Sequence, residues 1–248
     1  MDVSITQVPI WISILFILSF GTIPVFLIIN AVQLIYKRYN IENSSKISKK
    51  IGLFYFFYFI TIALVSLTGF FSENAIPPRI MLTAILPLFL FYLLYVQKTE
   101  WFKFVFSQIK LEQLVFIHLF RFVGVFFFIG YFYDALPREF AFIGGSGDIV
   151  SAIIAIPVFI ALKKKMRFAK LIVWIFNIIG LLDILSVLIT ATILTRQAIE
   201  NNTPGIEQFG TFPFSWIPAF APATIIFLHI LIFKKLKEQR QITGYNNL

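Results

Sequence analysis

The sequence predicts an all-α membrane protein with seven transmembrane helices, and two observations support this prediction. Of its 248 residues, 59% are hydrophobic and only 13% are charged, a composition typical of chains that lie mostly within a bilayer. Apolar stretches, most of them reaching the roughly 20 residues that cross a hydrocarbon core, alternate with short polar connections. These stretches cover residues 9–36, 51–72, 78–97, 112–133, 140–162, 170–195 and 212–233.

The distribution of basic residues predicts the orientation of the spans. Lysine and arginine are concentrated in the first, third and fifth connections and in the C-terminal tail, which together hold 17 of the 21 basic residues. Because cytoplasmic loops carry the excess of lysine and arginine, these segments and the C-terminus are predicted to be cytoplasmic and the N-terminus outside. The 17 residues are Lys37, Arg38, Lys46, Lys49, Lys50, Lys98, Lys103, Lys110, Lys163, Lys164, Lys165, Arg167, Lys170, Lys234, Lys235, Lys237 and Arg240. The other connections hold only Arg79, Arg138 and Arg196, among several acidic residues.

Little of the chain remains for anything other than spans, so a single domain is predicted over residues 1–248. Its one distinct element is residues 97–111, where charged and apolar side chains recur on opposite helix faces, as in an amphipathic helix at the membrane interface. The net charge of +9 is explained by topology and anionic lipid headgroups, so no nucleic-acid partner is predicted. With no cysteine and only two histidines, no metal site is predicted. No arrangement of catalytic residues is apparent, which disfavours an enzyme.

Three ionisable residues lie inside predicted spans: Arg121, Asp148 and Asp183. A guanidinium stays protonated at any accessible pH, and an intramembrane charge is costly, so Arg121 is predicted to pair with Asp148, Asp183 or both. Asp183 shares a helix face with the polar residues Asn177, Ser186 and Thr190 and with Gly180. Gly124 and Gly180 are predicted to let the helices approach closely. The pair could be purely structural or could form a ligand or ion pathway.

The run from Phe140 to Asp148 contains three glycines in four residues just before Asp148. Glycine disfavours helix continuation, so the sequence predicts an interrupted span in which a new helix begins at Asp148, as at the midplane sites of many transporters. The alternative is an ordinary outer loop with Asp148 as a helix N-cap. In both interpretations the helix begins at Asp148.

The two histidines, His118 and His229, are predicted to lie at the same depth in the cytoplasmic half of the bundle. Asn30 and Asn177 fall at a similar level, so a polar layer that includes Arg121 is predicted there. Two facing histidines can ligate a haem iron from opposite sides. A b-type haem bound by His118 and His229 is therefore an alternative to a proton relay or a hydrogen-bonded core.

These features predict a small membrane protein, in the inner membrane of a bacterium, that transports or binds a small ligand or ion, with transport coupled to protons as one possibility. The predicted pathway comprises Arg121, Asp148, Asp183, His118, His229, Asn177, Ser186 and Asn30. Two alternatives are a haem-binding redox subunit and a non-catalytic seven-helix sensor or membrane-complex subunit. The bilayer and a small ligand or ion are the predicted partners, with a membrane complex or a homo-oligomer as further options.

Overall fold

The computed structural model describes residues 8–40 and 44–245, and the side chains among them as far as residue 238. Within these residues the fold is helical, and seven segments are long and apolar enough to cross a membrane. Spans one to seven are Ile10–Arg38, Ser44–Leu67, Met81–Lys98, Leu111–Phe132, Arg138–Lys163, Ala169–Asn201 and Trp216–Glu238. Each overlaps one predicted apolar stretch, so seven helices that are long and apolar enough to cross a membrane are confirmed at the predicted positions.

Span one is not a single helix. It consists of α1 (Ile10–Phe20) and α2 (Ile23–Arg38), which are separated at Gly21 and Thr22. Pro24 lies near the start of α2, where a missing backbone N–H breaks no hydrogen bond within the helix. Span two is one helix, α3 (Ser44–Leu67).

Span three departs most from regular α-helix. It contains two π-helical stretches, Met81–Ile85 and Phe91–Tyr95, around the short helix α4 (Leu86–Leu90), and it ends in a 3₁₀ turn at Val96–Lys98. The next helix, α5 (Glu100–Gln108), forms most of the predicted amphipathic segment at residues 97–111. Its location at the membrane surface stays a prediction.

Span four also changes helix type along its length. It begins as α6 (Leu111–Ile117), continues as a 3₁₀ segment (His118–Gly124) and ends as α7 (Val125–Phe132). Spans five and six are the long helices α8 (Arg138–Lys163) and α9 (Ala169–Asn201). A 3₁₀ turn at Glu207–Gly210 precedes α10 (Trp216–Tyr245), which contains span seven.

Spans four and seven are the most deeply buried, so they form the centre of the bundle. Helix α8 packs against α9 and against the 3₁₀ segment of span four, and α10 packs against α9 and α6. Large apolar side chains such as Ile10 and Phe132, which are 78% and 76% exposed, cover the outer surface. In a bilayer these side chains face lipid, where their exposure has no hydrophobic cost.

Hydrogen bonds between connections identify the two ends of the bundle. Tyr39, next to the first connection, donates to Gln108 of α5. Lys235 Nζ, near the end of span seven, donates to the carbonyl oxygens of Phe106 and Ser107 at 2.7 and 3.0 Å. The first and third connections and the tail therefore share one end, which we call the basic end.

The opposite end, which we call the acidic end, holds the second and sixth connections. Asn74 Nδ2 in the second donates to Glu207 Oε1 in the sixth at 2.5 Å. Glu73 and Arg79 form an ion pair within the second connection. The side of the membrane that each end faces stays a prediction.

Candidate functional site: a buried cluster of charged residues

Arg121 is the centre of the site and is completely buried. Its Nε donates to Asp148 Oδ1 at 2.7 Å, and its Nη2 donates to Asp183 Oδ2. Its Nη1 donates to the carbonyl oxygen of Gly180 at 3.3 Å. The predicted pairing of Arg121 with the two aspartates is confirmed, and every guanidinium nitrogen has an acceptor. We call Arg121, Asp148 and Asp183 the charged cluster.

The 3₁₀ segment of span four places Arg121 in line with other members of the site. A 3₁₀ helix has three residues per turn, so side chains three positions apart are eclipsed. His118, Arg121 and Gly124 therefore form one column, whereas in an α-helix the same residues would drift round the axis by about 60° at each step. This column faces α8, α9 and α10.

Glycines provide the space that the charged side chains occupy. A Cβ added at Gly124 would lie 2.7 Å from Asp148 Cβ and 2.8 Å from the Gly145 carbonyl oxygen. A Cβ added at Gly147 would coincide with the Asp183 carboxylate, and one added at Gly180 would lie 2.9 Å from His229 Nε2. The predicted close approach at Gly124 and Gly180 is therefore confirmed.

The prediction of a helix break before Asp148 is wrong. Helix α8 is continuous from Arg138 to Lys163, so Asp148 lies in its interior and is neither an N-cap nor in an outer loop. Inside a bilayer no water is present to bind a free backbone group, and this favours intrahelical hydrogen bonds even through glycine. The glycines also serve packing, since the ring of Phe127 lies where Gly144 has no side chain and the ring of Phe128 lies against Gly145.

The histidines lie together beside the charged cluster, at the basic-end side of Arg121. The ring centroids of His118 and His229 are 4.5 Å apart, and both side chains are completely buried. The ring of His118 also meets Phe176 edge to face at 5.3 Å. Neither ring nitrogen of His118 has a hydrogen-bond partner among the described residues. The structure therefore brings the two histidines together at one depth, and we call them the histidine pair.

Asn177 fixes the orientation of the His229 ring. Asn177 Nδ2 donates to the His229 carbonyl oxygen at 3.1 Å, which leaves Oδ1 of the same amide facing His229 Nδ1 at 2.7 Å. Because Oδ1 can only accept, His229 Nδ1 carries the hydrogen. In the neutral tautomer Nε2 is then an acceptor, and it points towards Gly180 and the charged cluster.

The structure does not bring Ser186 and Asn30 into the network. Ser186 Oγ donates to the backbone carbonyl of Asp183 at 2.7 Å, so it reaches no member of the charged cluster. Asn30 is half-buried on α2 and makes no side-chain hydrogen bond within the described part of the chain. Of the predicted pathway, six residues therefore form the site: Arg121, Asp148, Asp183, His118, His229 and Asn177.

The histidine pair does not fit a haem. Two imidazoles on opposite faces of an iron have ring centres roughly 6 Å apart, because each metal–nitrogen bond is about 2.0–2.1 Å long and each ring centre lies farther out. The observed separation of 4.5 Å is shorter than this. The macrocycle would also need a wide slot between the rings, and both rings are completely buried.

A cavity is lined both by Asp148 and by residues of the acidic end. It has a volume of about 60 Å³, and its lining includes Asp148 at one end and Glu73, Asn74 and Glu207 at the other. Its wall on α9 runs from Ile184 to Thr195, which is about 16 Å of helix. A water needs roughly 10–15 Å³ of such space, so this volume suits a few waters or a small ion.

These features define a class: a helical bundle with seven membrane-compatible spans and a buried arginine shared by two aspartates. The chain belongs to the family described as a domain of unknown function, DUF8737, whose model matches residues 76–237. The match includes all six residues of the site, spans three to six and span seven as far as residue 237, whereas spans one and two precede it. Neither a curated protein nor a solved structure matches the chain.

Proposed function

We propose that this chain is an integral membrane protein that binds and transports a small ion, with protons exchanging at the charged cluster. The observation that carries the proposal is the double role of Asp148. Its carboxylate is bound to Arg121 in the interior, and the same residue lines the cavity that reaches the acidic end. A buried charge with access to one end of the bundle is the arrangement that an ion carrier needs.

The charges of the cluster support ion exchange. Two carboxylates face one guanidinium, so the three groups have a formal charge of −1 when all are ionised. An unbalanced buried charge is unfavourable in a low-dielectric interior. A single proton or monovalent cation restores neutrality, and its loss restores the negative charge. Asp148 and Asp183 are therefore the residues proposed to hold the exchanging ion.

The histidine pair lies next to the charged cluster on the proposed proton path towards the basic end. His118 lies one 3₁₀ turn before Arg121, and His229 Nε2 points towards Gly180, whose carbonyl binds Arg121. A neutral imidazole has one N–H donor and one accepting nitrogen, so it can pass a proton from one neighbour to the next, and such chains form relays in membrane proteins. The proposed order for the proton is Asp148, then Asp183, with Arg121 staying charged between the two carboxylates, and then His229 and His118.

Proton flux into liposomes tests the proposal. The purified chain is reconstituted in vesicles that contain a pH-sensitive dye, and a potassium gradient with valinomycin drives proton entry. We expect D148N and D183N to lose at least about 90% of the protein-dependent flux while keeping their fold. Each substitution leaves one carboxylate opposite Arg121, which is a balanced pair, so large destabilisation is not expected.

The matched control is D134N, which makes the same chemical change at an exposed position between α7 and α8. Asp134 has a positive φ of 54°, a conformation that asparagine also tolerates. D134N should conduct like the unchanged protein. Full flux in both D148N and D183N would refute the proposal, and collapse of their folding would instead indicate a structural pair.

We also propose that the basic end faces the cytoplasm, with the N-terminus outside, in the cytoplasmic membrane of a bacterium. The chain has no cysteine, so single cysteines can report the orientation without background. Thr203 at the acidic end and Lys164 at the basic end are both exposed. In intact cells, T203C should react with an impermeant maleimide, and K164C should react only after permeabilisation. The reverse labelling would invert the proposed orientation.

A further inference from the structure

A second cavity lies on the other side of α6 and α10 from the histidine pair. It has a volume of about 420 Å³, and its lining includes Ile117 and Leu228, the chain neighbours of His118 and His229. The remaining walls come from α2, α3, span three and α5. This volume lies in the range of about 300–1,000 Å³ that is usual for small-molecule sites.

Aromatic rings make up much of the wall. The rings of Phe54 and Phe91 stack with centroids 4.8 Å apart and planes at 14°. The rings of Tyr92 and Phe227 are 5.0 Å apart. Walls of this kind suit a planar ring, which can stack against them in an offset or edge-on arrangement.

Three of the residues that line this cavity carry hydroxyl groups that form a buried chain. Tyr92 Oη lies 3.0 Å from Tyr55 Oη and 3.0 Å from Thr224 Oγ1. Three hydroxyls carry three hydrogens, and the two bonds between them use only two. The third hydrogen has no acceptor among the described residues. A buried donor without an acceptor is unfavourable, so an occupant with an accepting oxygen would be stabilised here.

The mouth of the cavity lies at the basic end, away from the hydroxyl chain. Its exposed lining residues include Lys50 and Tyr95, with Thr99 and Trp101 beside them. Thr224 and Leu231, both in the lining, are separated by about 10 Å along α10. The cavity is thus long enough for a ring at the inner end and an apolar substituent towards the mouth.

We propose that this cavity binds a lipophilic molecule of the quinone class, a planar ring bearing carbonyl oxygens. One carbonyl accepts from the chain of Tyr55, Tyr92 and Thr224, and the ring lies against the aromatic walls. A fatty acid fits less well, because its carboxylate would lie near Lys50 and its apolar end would meet the hydroxyls. The proposal is independent of ion transport at the charged cluster.

Quenching of tryptophan fluorescence by decylubiquinone, in the purified full chain, tests this site. Quinones quench nearby indoles, and Trp101 lines the cavity. We expect saturable quenching that W101F largely removes, and a Kd about tenfold higher in the triple variant Y55F/Y92F/T224V, which has no hydroxyl left to donate, as the loss of one hydrogen bond predicts. Y58F is the matched control, because Tyr58 donates to the Ala219 carbonyl at 2.8 Å and does not line the cavity.

Two results would overturn the assignment. The first is the absence of saturable quenching, or quenching with the same Kd in Y55F/Y92F/T224V and the unchanged protein. The second is competition by decanoate together with a loss of affinity in K50Q but not in Y55F/Y92F/T224V, which would identify an anionic acyl chain as the ligand. Melting temperatures of all variants identify any that fail to fold, and for such a variant the competition by decanoate remains decisive.

Discussion

Replacing Arg121 by methionine is expected to lower the free energy of unfolding by about 3–5 kcal/mol, the usual cost of removing one partner from a buried ionic group. Methionine has a similar length and can fill much of the space, so the loss is mainly electrostatic. Asp148 and Asp183 would remain in the interior without a positive charge, since Arg121 supplies the cationic partner of both. Unfolding in a mixed-detergent titration measures the effect.

The triple variant R121M/D148N/D183N separates the charge effect from packing. It contains no ionised group in the cluster, and replacing a whole buried ionic group by neutral residues is often close to neutral for stability. We expect it to recover most of the lost stability and to have no proton flux. A triple variant as unstable as R121M would mean that packing, not charge balance, explains the loss. An R121M variant as stable as the original would contradict the buried cluster itself.

The number of spans and the partners of Arg121 could be predicted from the sequence because both follow from solvation. A bilayer requires about 20 apolar residues for each crossing, so each span can be recognised in the sequence as a long apolar stretch. An arginine in a span must be neutralised by a partner, and Asp148 and Asp183 were the carboxylates available within the spans. The depths of His118 and His229 followed from counting helical residues from the span ends.

The conformation around Asp148 could not be predicted from local propensity. Glycine lowers helix stability in water, yet the glycines of α8 are accommodated by neighbours that come from distant parts of the sequence. The 3₁₀ segment of span four and the π-helical stretches of span three likewise leave the apolar pattern unchanged. Hydropathy reports which residues are buried, but not the helix type that orients them.

The hydroxyl chain of Tyr55, Tyr92 and Thr224 was missed for a related reason. A single tyrosine or threonine in a span has little diagnostic value. A threonine hydroxyl can bind a carbonyl within its own helix, and a tyrosine hydroxyl can remain near the interface. The signal is the convergence of three spans, since these residues lie on α3, span three and α10. That convergence depends on which helices are neighbours, and a single sequence does not contain this information.

The contact between α8 and α9 is expected to tolerate no side chain at Gly147. An alanine Cβ there would overlap the carboxylate of Asp183, which is bound to Arg121 and cannot simply rotate away. G147A must therefore break the charged cluster or separate the helices, and we expect a loss of about 1–3 kcal/mol, as for an overpacked core. Gly52 on α3 is the matched control, because the nearest atom to its added Cβ is Ile29 Cδ1 at 3.7 Å.

In G52A the same substitution relieves the helical cost of glycine, so stability should stay the same or rise by up to about 1 kcal/mol. A second substitution then tests the cause of the loss in G147A. D183A removes the carboxylate that the new Cβ meets, and it leaves Arg121 balanced by Asp148 at 2.7 Å. The double variant G147A/D183A should thus be more stable than G147A, although G147A alone removes the space for the carboxylate and D183A alone removes the ion pair with Arg121. Such coupling is the signature of two groups in direct contact. Additive losses in the double variant would show that Gly147 and Asp183 do not share this space.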